Sequence, residues 1–103
     1  MGIRISGSTT VTATGETGLF DVPGDYVAFL RRLSVTNRAT ATAIVRIIFY
    51  NGDARKVVLT YAVPAGSTVV LREDQLPIEA CPTRIVVDTD RQPIDVDWSV
   101  ELE

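Results

Sequence analysis

From Pro93 to Glu103 the chain alternates strictly: Ile94, Val96, Trp98, Val100 and Leu102 are apolar, while Asp95, Asp97, Ser99, Glu101 and Glu103 between them are polar. A period of two sends successive side chains to opposite faces of an extended chain, so this segment predicts a half-buried strand with its acids outward and Trp98 in the core. Arg84 to Asp88 is a short β-branched run, and Asp88-Thr89-Asp90-Arg91-Gln92-Pro93 supplies turn residues after it. Together with the last segment it predicts a hairpin. Lys56 to Val63 and Ser67 to Arg72 are two further strand-like runs, joined by Pro64-Ala65-Gly66. Thr42 to Tyr50 precedes a turn, Asn51 to Arg55, that contains the Asn-Gly pair typical of hairpins. Tyr26 to Asn37 reads as another strand whose alternation stumbles at Arg31-Arg32, which predicts a bulge or bend there.

Thr42 to Tyr50 is apolar on both faces, with Val45, Ile47 and Phe49 on one and Ile44, Ile48 and Tyr50 on the other. Such a strand is either central in the fold or covered by another chain. Residues 1–18 differ: rich in Ser, Thr and Gly, they are expected to form a polar N-terminal arm or an edge strand that contributes little to a core. Residues 19–103 are expected to form the domain proper. Short strands about ten residues apart with turn chemistry between them predict an all-β fold, a single antiparallel β-sandwich of about eight strands, jelly-roll or Ig-like.

Composition narrows the chemistry. The chain has 103 residues, 46% hydrophobic and 22% charged, the balance of one globular domain. It has no histidine, so no imidazole can act as base, shuttle or metal ligand. Its single cysteine, Cys81, cannot form an intramolecular disulfide. The net charge is -3 and the ten basic residues are scattered, which argues against a nucleic-acid partner. Ala39 to Tyr50 is too short and too polar for a membrane span, and Met1 to Thr14 does not resemble a secretory signal. No membrane association is expected.

Candidate chemistry is sparse. Lys56, the sole lysine, reads as a solvated charge. Asp95 and Asp97 share a strand face at a spacing compatible with paired carboxylates, but a solvated face that deters edge-to-edge pairing explains them as well. Asp53, Asp74, Asp88 and Asp90 suit turns better than a calcium site. Gly15-Glu16-Thr17-Gly18 lacks the lysine and the strand-to-helix context of a phosphate loop. The expectation is therefore a non-enzymatic protein with no cofactor and no metal. The arginines, Arg31 and Arg46 among them, have acids to pair with inside the chain or across a subunit boundary. Val11, Arg31, Arg46, Ile48, Tyr50 and Tyr61 are the candidate interaction residues. The tyrosines also leave open a carbohydrate-binding or adhesion module.

Three segments taken in series carry a resemblance: Leu30 to Asn37, which ends Val35-Thr36-Asn37; Ala39 to Ile48; and Val63-Pro64-Ala65-Gly66-Ser67 with the strand after it. With Leu76-Pro77-Ile78 before a closing pair of strands, this order of strands and turns resembles small β-sandwich structural proteins of tailed-phage virions, from about Val22 to Leu102. The resemblance implies a phage or prophage virion component, either a capsid decoration or cement protein or a head-tail or tail accessory protein. It would form homo-oligomers, dock on major capsid or tail proteins, and reside in the virion after assembly in the host cytoplasm.

Overall fold

The computed structural model describes residues 2–72 and 82–103. Eight strands make up the fold: β1 (Ile3–Val11), β2 (Gly15–Asp21), β3 (Ala28–Asn37), β4 (Ala43–Asn51), β5 (Ala54–Val63), β6 (Thr68–Leu71), β7 (Arg84–Thr89) and β8 (Ile94–Leu102). No helix occurs among the described residues. The expected Leu76-Pro77-Ile78 segment, Asp74 and Cys81 lie outside them.

The strands form two antiparallel four-stranded sheets, ordered β1-β8-β3-β6 (sheet A) and β2-β7-β4-β5 (sheet B). Each of β1, β2, β3 and β4 pairs with the strand that complements its number to nine, and the β3–β8 and β4–β7 pairings complete the sheets. That is an antiparallel ribbon rolled around one core, the eight-stranded jelly roll.

The β4–β5 connection is the hairpin expected from Asn-Gly. Asn51 pairs with Ala54, leaving Gly52-Asp53 as a two-residue loop. Gly52 has φ +61°, a conformation that first-position glycine supplies in hairpin turns. The bulge expected at Arg31-Arg32 is present, where the β3–β8 register shifts between Leu30 and Arg32.

The β7–β8 hairpin is not present. β7 lies in sheet B and β8 in sheet A, so the turn residues from Asp90 to Pro93 carry the chain across the sandwich. Turn chemistry specifies a reversal, and a reversal serves a sheet-to-sheet crossing as well as a hairpin. The N-terminal segment is built into the sandwich: β1 and β2 are edge strands of the two sheets, the boundary between residues 18 and 19 falls inside β2, and Val11 belongs to the core.

Inward-facing residues of both sheets form that core, including Leu33, Val45, Ile47, Phe49, Ile85, Val87, Ile94, Val96 and Val100. Trp98 is half-buried and packs against it, its ring 5.4 Å from that of Phe20. Gly7 stands opposite Trp98 in the β1–β8 register, and a Cβ there would overlap the indole. Glycine at this position is the room the ring occupies.

One buried polar residue ties the connections together. Asn37, fully buried at the end of β3, donates from Nδ2 to the carbonyls of Ala41 (2.8 Å) and Val63 (2.9 Å) and accepts at Oδ1 from Ala39 N–H (2.8 Å). Its backbone N–H donates to Ser67 O and its carbonyl accepts from Gly66 N–H. The β3–β4 and β5–β6 connections are thus held by one side chain whose polar capacity is almost wholly used.

Candidate functional site

The outer face of sheet B brings three sequence candidates together. The registers align three rows across its strands: Glu16–Asp88–Arg46–Thr60, then Gly18–Val86–Ile48–Val57, then Asp21–Arg84–Tyr50–Arg55. The middle row is apolar, and Val86 and Ile48 are fully buried although neither belongs to the cluster between the sheets. Side chains from the flanking rows cover them. Glu16 reaches across, accepting the Tyr50 hydroxyl at 2.5 Å on Oε1 and Arg55 Nε–H at 3.1 Å on Oε2. Arg84 leans over Gly18, stacks its guanidinium 5.7 Å from the Tyr50 ring centroid and lies 3.6 Å from Asp21. Arg46 sits 3.7 Å from Asp88 at the other margin.

The two faces of Thr42 to Tyr50 are thereby explained. β4 is flanked by β7 and β5, and its outer apolar residue is covered by the chain's own charged side chains. Ile48 is 0% exposed and is unavailable as a surface contact, as is Val11 in the core.

The electrostatics of this cover are those of a strap. The Tyr50 hydrogen bond, helped by Arg55, holds the Glu16 carboxyl below the usual carboxylate range against some opposing desolvation. The same hydrogen bond pushes the Tyr50 phenol up, and Glu16 raises Arg55. Carboxylate and phenol are driven apart, away from the near-neutral range where general acids and bases work.

Arg31, the bulge residue of β3, belongs to the other sheet. Its Nε donates to Glu101 Oε1 at 2.9 Å, Nη2 lies 3.8 Å from Glu103, and the guanidinium sits 5.1 Å from the Phe29 ring centroid. Asp95 is held by Thr10 Oγ1 (2.9 Å) and Arg38 (3.3 Å). Of the other aspartates weighed from sequence, Asp88 faces Arg46, and Asp90 accepts Ile44 N–H at 2.8 Å. On the outer face of sheet A, Ser6, Gly7, Arg32, Asp97, Trp98 and Ser99 line a cleft of about 130 Å³.

Tyr61 lies on β5, the edge strand of sheet B, and is 36% exposed. It lines a narrow apolar slot between the sheets with Val69 and Leu71 of β6, the corresponding edge strand of sheet A. At about 10 Å³ the slot is too small to hold a ligand. Val57 (39%) and Val70 (41%) are exposed on these same two strands. The sequence candidates therefore divide among a covered outer face (Arg46, Ile48, Tyr50), a free strand edge (Tyr61), the opposite sheet (Arg31) and the core (Val11). Sequence reasoning missed Glu16, Arg55, Arg84 and Asp21, whose roles depend on register between strands distant in the chain.

No protein-family model and no curated protein matches the chain. Among solved structures, the crystal structure of PirA superposes with a TM-score of 0.56 at 18% identity, covering 95% of this chain and 93% of that one. A structure of infectious bursal disease virus, Gx strain, aligns at 15% identity with a TM-score of only 0.28, covering 98% of this chain and 26% of that one. The first likeness is one of fold alone, and the second is too distant in geometry to bear on function.

Proposed function

We propose that this jelly roll is a non-enzymatic structural component of a phage or prophage virion, a capsid decoration or head-tail or tail accessory protein. In this reading it works by self-association and by docking on major capsid or tail proteins. The resemblance of its strand and turn order to tailed-phage sandwich proteins supplies the virion setting. The observation that carries the self-association is the edge strand β5. It is ten residues long and largely exposed, and among the described residues nothing pairs with its outer edge.

An open edge presents unpaired N–H and C=O groups to any strand that can align with it. From Val57 to Ala62 this edge carries six uncharged residues, a run without proline or glycine. Its only charges, Arg55 and Lys56, are at one end. Antiparallel pairing of two copies about a two-fold axis sends these charged ends in opposite directions, so like charges do not meet. Parallel pairing would stack them.

Sedimentation velocity across a concentration series tests this. The protein is expected to associate as concentration rises. Thr60→Lys and Tyr61→Lys, which place a charge in the uncharged run, are expected to hold it monomeric, whereas Ser8→Lys on the far edge strand β1 leaves association intact. A monomer at all concentrations, or association that survives both β5 substitutions, would remove the reading.

A further inference from the structure

The cleft on the outer face of sheet A is built from a row of small residues between larger ones. Ser6, Ser99 and Arg32 stand side by side on β1, β8 and β3, with Asp97 one outward position along β8. The two serines are short, so the sheet dips between the Arg32 and Asp97 side chains, and the cleft has room for about four water molecules at roughly 30 Å³ each.

One feature of its lining lacks an internal explanation, and two exposed charges beside it are left open to a ligand. Ser99 is only 8% exposed although it lies on an outward face, and its hydroxyl has no hydrogen-bond partner. A buried polar atom without a partner is rare enough in folded proteins to point to something that completes it. Arg32 and Asp97 make no ion pair or side-chain hydrogen bond among the described residues, although every other arginine on this sheet's outer face is engaged. An unlinked guanidinium and carboxylate thus border one cleft with two hydroxyls, Ser6 and Ser99, on the same row.

We infer that this cleft is a binding site for a neutral saccharide unit, the end residue of a glycan. The chemistry of the lining selects that class. A guanidinium is a fixed fork of donors and a carboxylate accepts only, so the pair can bracket adjacent hydroxyls, taking lone pairs on one side and protons on the other. Serine hydroxyls donate and accept, which suits a ligand whose own groups do both. The charges of Arg32 and Asp97 cancel, so the cleft offers no net field to hold an anion or a cation. At about 130 Å³ the open cleft has room for part of a single sugar ring, the rest of which stays in solvent, and not for an extended chain. The site lies on sheet A, away from the β5 edge of sheet B, and stands or falls independently of self-association.

The test is a titration of ¹⁵N-labelled protein, followed by backbone amide NMR, with the methyl glycosides of glucose, galactose, mannose and N-acetylglucosamine, and separately with glycine betaine and sodium sulfate. At least one glycoside is expected to give saturable shifts at Ser6, Gly7, Arg32, Asp97, Trp98 and Ser99. Arg32→Gln and Asp97→Asn each weaken it about tenfold or more, as loss of a charge-assisted hydrogen bond requires. The same spectra report whether each variant is folded, and Ser99→Ala serves as a third probe of the floor. Absence of saturable shifts with every glycoside, shifts confined to other residues, or unchanged affinity in both charge variants would overturn the assignment. Shifts at these amides with betaine or sulfate instead of glycosides would show a charged-ligand cleft and overturn it equally.

Discussion

Replacing Asn37 by aspartate changes one NH₂ group into an oxygen and nearly nothing in shape, which makes it a sharp probe of the fold. In the native protein Nδ2 donates to two carbonyls, Ala41 O at 2.8 Å and Val63 O at 2.9 Å, at a residue with no exposure. After Asn37→Asp the protonated acid offers one O–H where the amide had two N–H donors, so one carbonyl loses its donor, and the ionised acid leaves both without one, while the acceptor for Ala39 N–H remains. At about 1–3 kcal/mol per buried polar group left unsatisfied, the loss is about 1–3 kcal/mol with the acid protonated and at least about 2–6 kcal/mol with it ionised, against a total stability of about 5–15 kcal/mol for a domain. Ionisation adds a buried charge without a counter-ion, so the fold favours the protonated acid. The introduced carboxyl therefore has a folded pKa raised above its unfolded value of about 3.9. The unfolded state releases its proton first. The deficit relative to wild type is smallest below that unfolded pKa, grows as pH rises through the folded pKa, and then levels. Urea unfolding read by the single tryptophan, Trp98, at a series of pH values measures this directly. A deficit below about 0.5 kcal/mol, within the range of ordinary surface substitutions, or one that does not change with pH, would refute the role given to Asn37.

Three further outcomes are expected. Gly7→Ala drives a Cβ into the Trp98 indole and costs about 1–3 kcal/mol by overpacking, with a shift in Trp98 emission; an unchanged unfolding midpoint would show that the ring moves freely. Ile48→Ala costs about 2–5 kcal/mol in the isolated protein because its side chain is already covered, whereas a residue awaiting a partner would cost almost nothing; chemical denaturation at low concentration separates the two. The Glu16–Tyr50 strap contributes stability that is present above the carboxyl's unfolded pKa near 4.5 and lost as pH falls through its lowered folded value. At the alkaline end the contribution is full below the phenol's unfolded pKa near 10.0 and lost as pH rises through its raised folded value. Tyr50→Phe should flatten both limbs of the stability–pH curve relative to wild type, and curves that superpose would contradict the strap.

β3 to β8 were legible in the sequence because each is an apolar or alternating run bounded by turn residues, whereas β1 and β2, rich in Ser, Thr and Gly, were legible only as an arm or edge strand. β8 declares itself by alternation from Ile94 to Leu102, the β4–β5 hairpin by Gly52, and the β3 bulge by the break at Arg31-Arg32. Partnership was not legible, because a jelly roll pairs strands that are distant in the chain and uses the same turn residues for crossings as for hairpins. That is why Asp90 to Pro93 suggested a β7–β8 hairpin where the chain changes sheets. The cover over Ile48 was hidden for a related reason: Glu16 meets Tyr50 and Arg55 only after β7 has been placed between β2 and β4. Val11 was hidden by its neighbours, since an isolated valine in a Ser- and Thr-rich segment carries no periodic signal, yet its strand end faces the core. The cleft was not legible either: Asp97 stood out only as a neighbour of Asp95 and Arg32 only at the bulge, and their meeting with Ser6 and Ser99 depends on the pairing of β1, β8 and β3.

The proposed role is tested most directly by quantitative mass spectrometry of phage particles purified from the source culture after prophage induction. The account predicts this chain at a fixed copy number relative to the major capsid or tail protein, retained through gradient purification and reduced when Thr60→Lys replaces the native chain. Particles that assemble with the chain wholly absent, while it accumulates free in the lysate, would contradict it.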